Sequence, residues 1–307
     1  MRSLFMASAV LASTLIASVT AQADFFGEAY LRAYNAQIQV RNSVSDQWRK
    51  AEVGTDIELA DTRTQSRATA TLNGVTDDNA ISSTDDPAPT NPADVERAFV
   101  GSGSEPVDNF GFSNLGSSLS DDAYSYADTT GDVNGQLVDF VVPNSNPDSD
   151  VSVMVSSVLN ENFQTSGGSS QVFSDARVRF QSVDDSEYRL VFDYDVNLDL
   201  TLSTPPDFGT GSVRAGFTVT GNPGTGVATT ADGRVFALNF GGNFDNLENE
   251  RFESDEISVL SGFVGSFDFS RTVFLDMQAV PEPGTLAVFG LSALGVCFVG
   301  YRRRRNA

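Results

Sequence analysis

From about Val151 to Ala279 the chain alternates between apolar and polar positions. The clearest run is Arg189 to Ser203. Leu190, Phe192, Tyr194, Val196, Leu198, Leu200 and Leu202 fall on one side, and Arg189, Val191, Asp193, Asp195, Asn197, Asp199 and Thr201 on the other. A period of two with one wet face predicts antiparallel strands. The same pattern recurs in Ala176, Val178 and Phe180, in Val213, Ala215, Phe217 and Val219, in Phe236, Leu238 and Phe240, and in Ile257, Val259 and Phe263. Phe267, Phe269, Val273, Leu275 and Met277 form a last apolar row, interrupted only by Arg271.

Turn-forming stretches separate these runs, among them Thr204-Pro205-Pro206-Asp207, Gly221-Asn222-Pro223-Gly224 and Gly241-Gly242-Asn243. Regular strands with such turns predict an all-β fold, an antiparallel two-sheet sandwich of the jelly-roll kind with long loops. Val183 to Glu187 reads as the turn of a hairpin between the strands at 176–181 and 189–203. A three-residue loop sets Arg177 opposite Asp193, and a five-residue loop sets Arg179 there. Either pair contributes roughly 0.2–1 kcal/mol.

The first half is less regular. Phe26, Tyr30, Tyr34 and Ile38 recur every four residues, so 25–38 is compatible with an opening helix. Gln37 to Val40, Arg67 to Leu72 and 137–142 read as strands. Residues 74–150 hold six of the eleven prolines and read mostly as loops, with a short helix from Pro92 to Phe99.

Charge narrows the function. The 307 residues include 41 Asp and Glu against 19 Lys and Arg, a net charge of -22. Arg2, Arg302 to Arg305 and Glu282 lie outside 24–280, so that stretch has 14 basic and 40 acidic residues. Such a surface repels phosphate backbones, which excludes nucleic acid as a partner. There is no His, and Cys297 is the only Cys. This excludes His-based triads, His or Cys zinc sites and intrachain disulfides.

Within the acidic surface, Asp193 and Asp195 on the long strand and Asp148 and Asp150 in Asn146-Pro147-Asp148-Ser149-Asp150 are the calcium candidates. Neither that stretch nor Asp128 to Gly135 has the twelve-residue calcium-loop spacing. No phosphate-binding glycine loop or nucleophile motif occurs, so the expectation is no cofactor and no enzyme.

The two ends carry targeting signals. Arg2 precedes an apolar run from Leu4 to Val19, and Ala21-Gln22-Ala23 has small residues at −3 and −1. This is a signal peptide over 1–23 for the Sec translocon, with signal peptidase cutting after Ala23. At the other end Pro281-Glu282-Pro283 breaks regular structure, Thr285 to Tyr301 gives 17 residues without charge, and Arg302, Arg303, Arg304 and Arg305 follow. A helix over 285–301 is about 25 Å long, near the hydrocarbon thickness of a bilayer. The arginines hold their side in the cytoplasm while the signal peptide sends 24–279 outside.

This three-part tail, residues 280–307, resembles the PEP-CTERM sorting signal of Gram-negative bacteria. The resemblance implies recognition of Pro281, Glu282 and Pro283 by an exosortase, with the apolar helix as a transient anchor. The expected protein is an exported, non-catalytic surface or extracellular-matrix protein associated with exopolysaccharide. Two other readings stay open: a carbohydrate- or calcium-binding sandwich module, for which Trp48 is the only Trp, and a secreted hydrolase using paired carboxylates.

Overall fold

The computed structural model describes residues 24–42, 45–85, 97–101, 124–131, 150–160, 167–202, 209–224, 229–239 and 246–279. The described residues form fourteen strands: β1 (Asp24–Asn42), β2 (Ser45–Lys50), β3 (Ile57–Leu72), β4 (Val75–Asp85), β5 (Arg97–Gly101), β6 (Tyr124–Gly131), β7 (Asp150–Asn160), β8 (Gly167–Ser182), β9 (Ser186–Leu202), β10 (Gly209–Asn222), β11 (Thr230–Asn239), β12 (Leu247–Glu253), β13 (Ile257–Val259) and β14 (Val264–Ala279). No helix occurs among them. The signal helix and the membrane helix expected at the two ends lie outside the described residues.

Two antiparallel sheets result. One runs β12-β9-β1-β7-β6-β5, with β13 also on β9 and β2 on β1; the other runs β11-β10-β14-β8-β3-β4. They stack as a sandwich whose core takes the alternate residues of both inner faces. The row Leu190, Phe192, Tyr194, Val196 and Leu198 is buried as the alternation requires. Rings dominate its centre. Phe192 lies about 5 Å from Phe217, Phe252 and Phe269, and Phe217 is 4.9 Å from Phe252, mostly in edge-on or tilted geometry.

Four expectations change. First, β8 and β9 do not form a hairpin. The turn at 183–185 carries the chain from one sheet to the other, so their apolar rows face each other across the core. Arg177 pairs with Asp268 on β14, and Arg179 with Asp61 on β3 at 2.5 Å. Asp193 instead lies between Tyr34 of β1 and Arg251 of β12. Alternation shows which face is buried, but not which strand lies alongside.

Second, 25–38 is strand, not helix. A spacing of four is also a multiple of two, so Phe26, Tyr30 and Tyr34 share one strand face. Ile38 joins the opposite, inner face because a bulge between Tyr34 and Gln37 inserts a residue. Asn35 sits there with φ 55°, in the left-handed region that Asn tolerates.

Third, 74–150 holds more strand than its composition suggests: β4, β5, β6 and the first residue of β7. Arg97 to Phe99 belongs to β5, while 92–96 and 137–142 lie outside the described residues. Where β6 packs against β7 and β8, buried serines replace apolar side chains. Ser125, Ser157 and Ser170 bring their hydroxyls within 2.6–3.3 Å of each other between the sheets. Fourth, Phe263 does not continue the face of Ile257 and Val259. It lies in the turn before β14 and is half exposed.

Arg271 is the conflict in the core. It is 2% exposed and gives Nη2 to Ser174 Oγ at 2.8 Å. Its Nε and Nη1 are buried without a hydrogen-bond partner, and burial pulls its pKa down to about 9. A buried cation without a carboxylate is costly. Arg271→Met should therefore raise stability by about 1–4 kcal/mol in denaturant titration. Phe192→Ala, which empties the ring cluster, should cost about 3–5 kcal/mol by the same measurement.

Candidate functional site

The outer face of the first sheet carries the acidic row singled out in the sequence. Asp193 and Asp195 lie two residues apart on β9, opposite Tyr34 and Arg32 of β1. Asp150, the first residue of β7, is opposite Tyr34 on the other side. Three strands thus bring Asp150, Tyr34 and Asp193 into line, although the sequence separates them widely. Asp148 lies outside the described residues.

Asp193 and Asp195 are engaged by the protein itself. Arg32 approaches Asp195 Oδ2 to 3.9 Å, the Asn249 backbone N–H donates to Asp195 Oδ1 at 2.7 Å, and Tyr34 Oη is 3.1 Å from the same oxygen. Asn35 Nδ2 donates to Asp193 Oδ2 at 3.0 Å, and Arg251 Nη1 lies 4.0 Å from Asp193 Oδ1. Asn35 and Asn249 both have positive φ, at bulges in the two strands flanking β9. The bulges turn these donors toward the carboxylates. Burial and the neighbouring Asp195 and Asp193 push the Tyr34 phenol up to about 12, so it stays protonated. Among the described residues no group of three or more His, Cys, Asp or Glu is arranged to hold a metal.

Trp48 is likewise engaged. The guanidinium carbons of Arg41 and Arg189 lie 4.7 and 4.5 Å from its ring centre. Arg41 in turn binds Glu187 and Glu256 at 2.6 and 2.9 Å.

Glu28 carries no signal in the linear pattern. It is 8% exposed, lies opposite Asp199 of β9 and Ser156 of β7, and is pushed up to about 7 by burial first and by Asp199 second. Two carboxylates facing each other across strands are visible only once β1 is known to pair with β9.

The first and last described residues have a defined geometry. Asp24, the expected first residue after signal cleavage, opens β1, an interior strand between β9 and β7. Ala279, the last residue before the tail, closes β14, an interior strand between β10 and β8. They meet at one pole. A side chain on Gly209, which pairs with Ala279, would lie 3.5 Å from the Phe25 ring. The sheets are so close here that a Cβ on Gly27 would fall 2.6 Å from Leu275 and 2.7 Å from Met277.

Residues 279–305 match the PEP-CTERM protein-sorting motif. No curated protein and no solved structure matches the chain. The match includes Pro281, Glu282, Pro283 and Arg302 to Arg305, all outside the described residues, as are Ala21 and Ala23. PEP-CTERM tails imply export and processing by an exosortase-type enzyme. The motif begins at Ala279, where β14 ends.

Glu28 supplies a test of the acidic face. Its folded pKa lies above the ordinary 4.5, so folding favours the protonated form and stability falls as pH rises from about 4.5 to about 7. Glu28→Gln should remove that dependence and stabilise the protein at pH 8 by up to about 3 kcal/mol. Parallel wild-type and variant melts across pH 4 to 8 would contradict this.

Proposed function

We propose that this chain is a non-catalytic protein of the cell surface or extracellular matrix of a Gram-negative bacterium, associated with exopolysaccharide. It crosses the inner membrane through the Sec translocon and loses residues 1–23 to signal peptidase. It then rests in the membrane through 285–301 with Arg302 to Arg305 in the cytoplasm. An exosortase-type enzyme acts at Pro281, Glu282 and Pro283, and the domain leaves the membrane.

The observation that carries this reading is the sorting motif placed directly after the last strand, at the pole where β1 begins. Both hydrophobic segments then leave the domain from the same end. The precursor can stand on the membrane by that pole while the sandwich folds outside. Removing either segment cuts none of the strand pairings among the described residues, where the first paired residue is Asp24 and the last is Ala279.

The acidic face supports a scaffold over a calcium module. Asp193 and Asp195 take their counter-charges from Arg32 and Arg251 and tie β1, β9 and β12 together. The Arg stacking on Trp48 similarly argues against a sugar-stacking platform.

Fractionation with intact-mass measurement of the native protein tests the proposal. A species that starts at Asp24 and ends between Pro281 and Thr285, recovered outside the inner membrane, is expected. A species that keeps Arg302 to Arg305 in the inner membrane would reduce the tail to a plain anchor.

A further inference from the structure

Six large apolar side chains are prominently exposed among the described residues, and four of them gather at one end. They are Val53 in the turn between β2 and β3, Val183 between β8 and β9, and Leu260 and Phe263 between β13 and β14. Their exposures are 38%, 39%, 49% and 48%. This end is opposite the one where the tail leaves. Val264 begins β14 and Ala279 ends it, and at ~3.3 Å per residue about 50 Å separates the two poles.

The turns hold one another. The Val183 N–H donates to Asp56 O at 3.0 Å, Ser182 N–H to Phe263 O at 3.0 Å and Gly262 N–H to Ser182 O at 2.8 Å. Ser261 gives its N–H to Asp185 Oδ1 at 2.8 Å and its hydroxyl to Val183 O at 2.5 Å. Gly262 takes φ 79°, which a side chain would resist. The apolar tips are therefore displayed by a hydrogen-bonded set of turns. Keeping them exposed opposes the hydrophobic effect, and an ordered patch costs a partner little to engage.

Charge selects the partner. Glu52, Asp184, Asp185 and Asp255 are exposed around the tips and make no ion pair within the described residues. Arg49 is bound to Asp56 at 2.5 Å, and Arg41 to Glu187 and Glu256, which leaves Lys50 as the cation outside an ion pair at this end among the described residues. A second copy would set acid against acid, and an anionic bilayer or acidic polysaccharide would be repelled in the same way.

We propose that this pole docks a partner protein that presents an apolar patch flanked by lysine or arginine. The tail holds the opposite pole toward the membrane under the function proposed above. Docking itself needs only the folded domain, so it can be tested apart from processing.

The test uses the full-length chain in phosphatidylcholine nanodiscs and two soluble amphipathic peptides. Both carry a Leu/Phe face, flanked by Lys in one and by Glu in the other. The Lys-flanked peptide should bind and the Glu-flanked one should not. The Leu260→Ser/Phe263→Ser double variant should weaken binding about tenfold or more. Asp184→Asn/Asp185→Asn should weaken it less and flatten its salt dependence. Val235→Ser, at an exposed valine on β11, should change nothing, and circular dichroism checks that each variant is folded.

Equal binding of the Lys peptide by wild type and the Leu260/Phe263 variant would mean diffuse attraction to an acidic surface and would overturn the proposal. Binding of neither peptide would do the same. So would sedimentation that shows self-association lost in that variant, or binding to phosphatidylglycerol vesicles through the same side chains.

Discussion

Rings packed across the gap between the sheets hold this domain together. Phe192 and Tyr194 come from one sheet, Phe217 and Phe269 from the other, and Phe252 from an edge strand. They meet mostly edge-on, which fixes how far apart the sheets lie and how β9 sits over β10 and β14. Other features adjust to that spacing. Toward β6 and β7 the core thins to alanine and hydrogen-bonded serine, and at the tail pole Gly27 admits Leu275 and Met277 directly.

Charge has a second structural role. The chain is strongly acidic, yet many of its arginines are used in pairs between neighbouring strands: Arg177 with Asp268, Arg179 with Asp61, Arg67 with Asp78 and Arg189 with Glu253. Exposed pairs of this kind contribute little individually. Their effect is register, because a slip of one residue would place each arginine on the wrong face. Arg271 shows the opposite case, a cation on the inner face with one serine to receive it.

The apolar rows of β9, β10 and β14 were legible in the sequence because large side chains recur there with a period of two. The strand pairing was not, since Arg177 and Arg179 suit Asp193 by parity as well as they suit Asp268 and Asp61. The stripe of Phe26, Tyr30 and Tyr34 satisfied two periodicities at once, and only the bulge at Asn35 separates them. Strands built of Ser, Thr and Asp, such as β4 and β6, resembled loops: the inward positions of β6 hold Ser125 and Ala127, and β4 sets Asp77 and Asn79 beside the buried Ala70 and Ala68 of β3. The tail was legible as a linear signal. Glu28, Asp199 and the apolar turns depend on contacts between distant strands, which linear spacing does not encode.

The position of β14 bears on the order in which the domain can form. It is the last of the described strands, and it fills the gap between β10 and β8. A chain that emerges on the far side of a membrane from its N-terminus delivers this strand last. Until then one sheet exists as two separate pieces, each with an open edge toward the missing strand. The sorting motif begins where β14 ends, so under the function proposed above the arrival of the signal at the membrane coincides with the moment at which the sandwich can close. On that reading the same sixteen residues time both completion of the fold and readiness for processing.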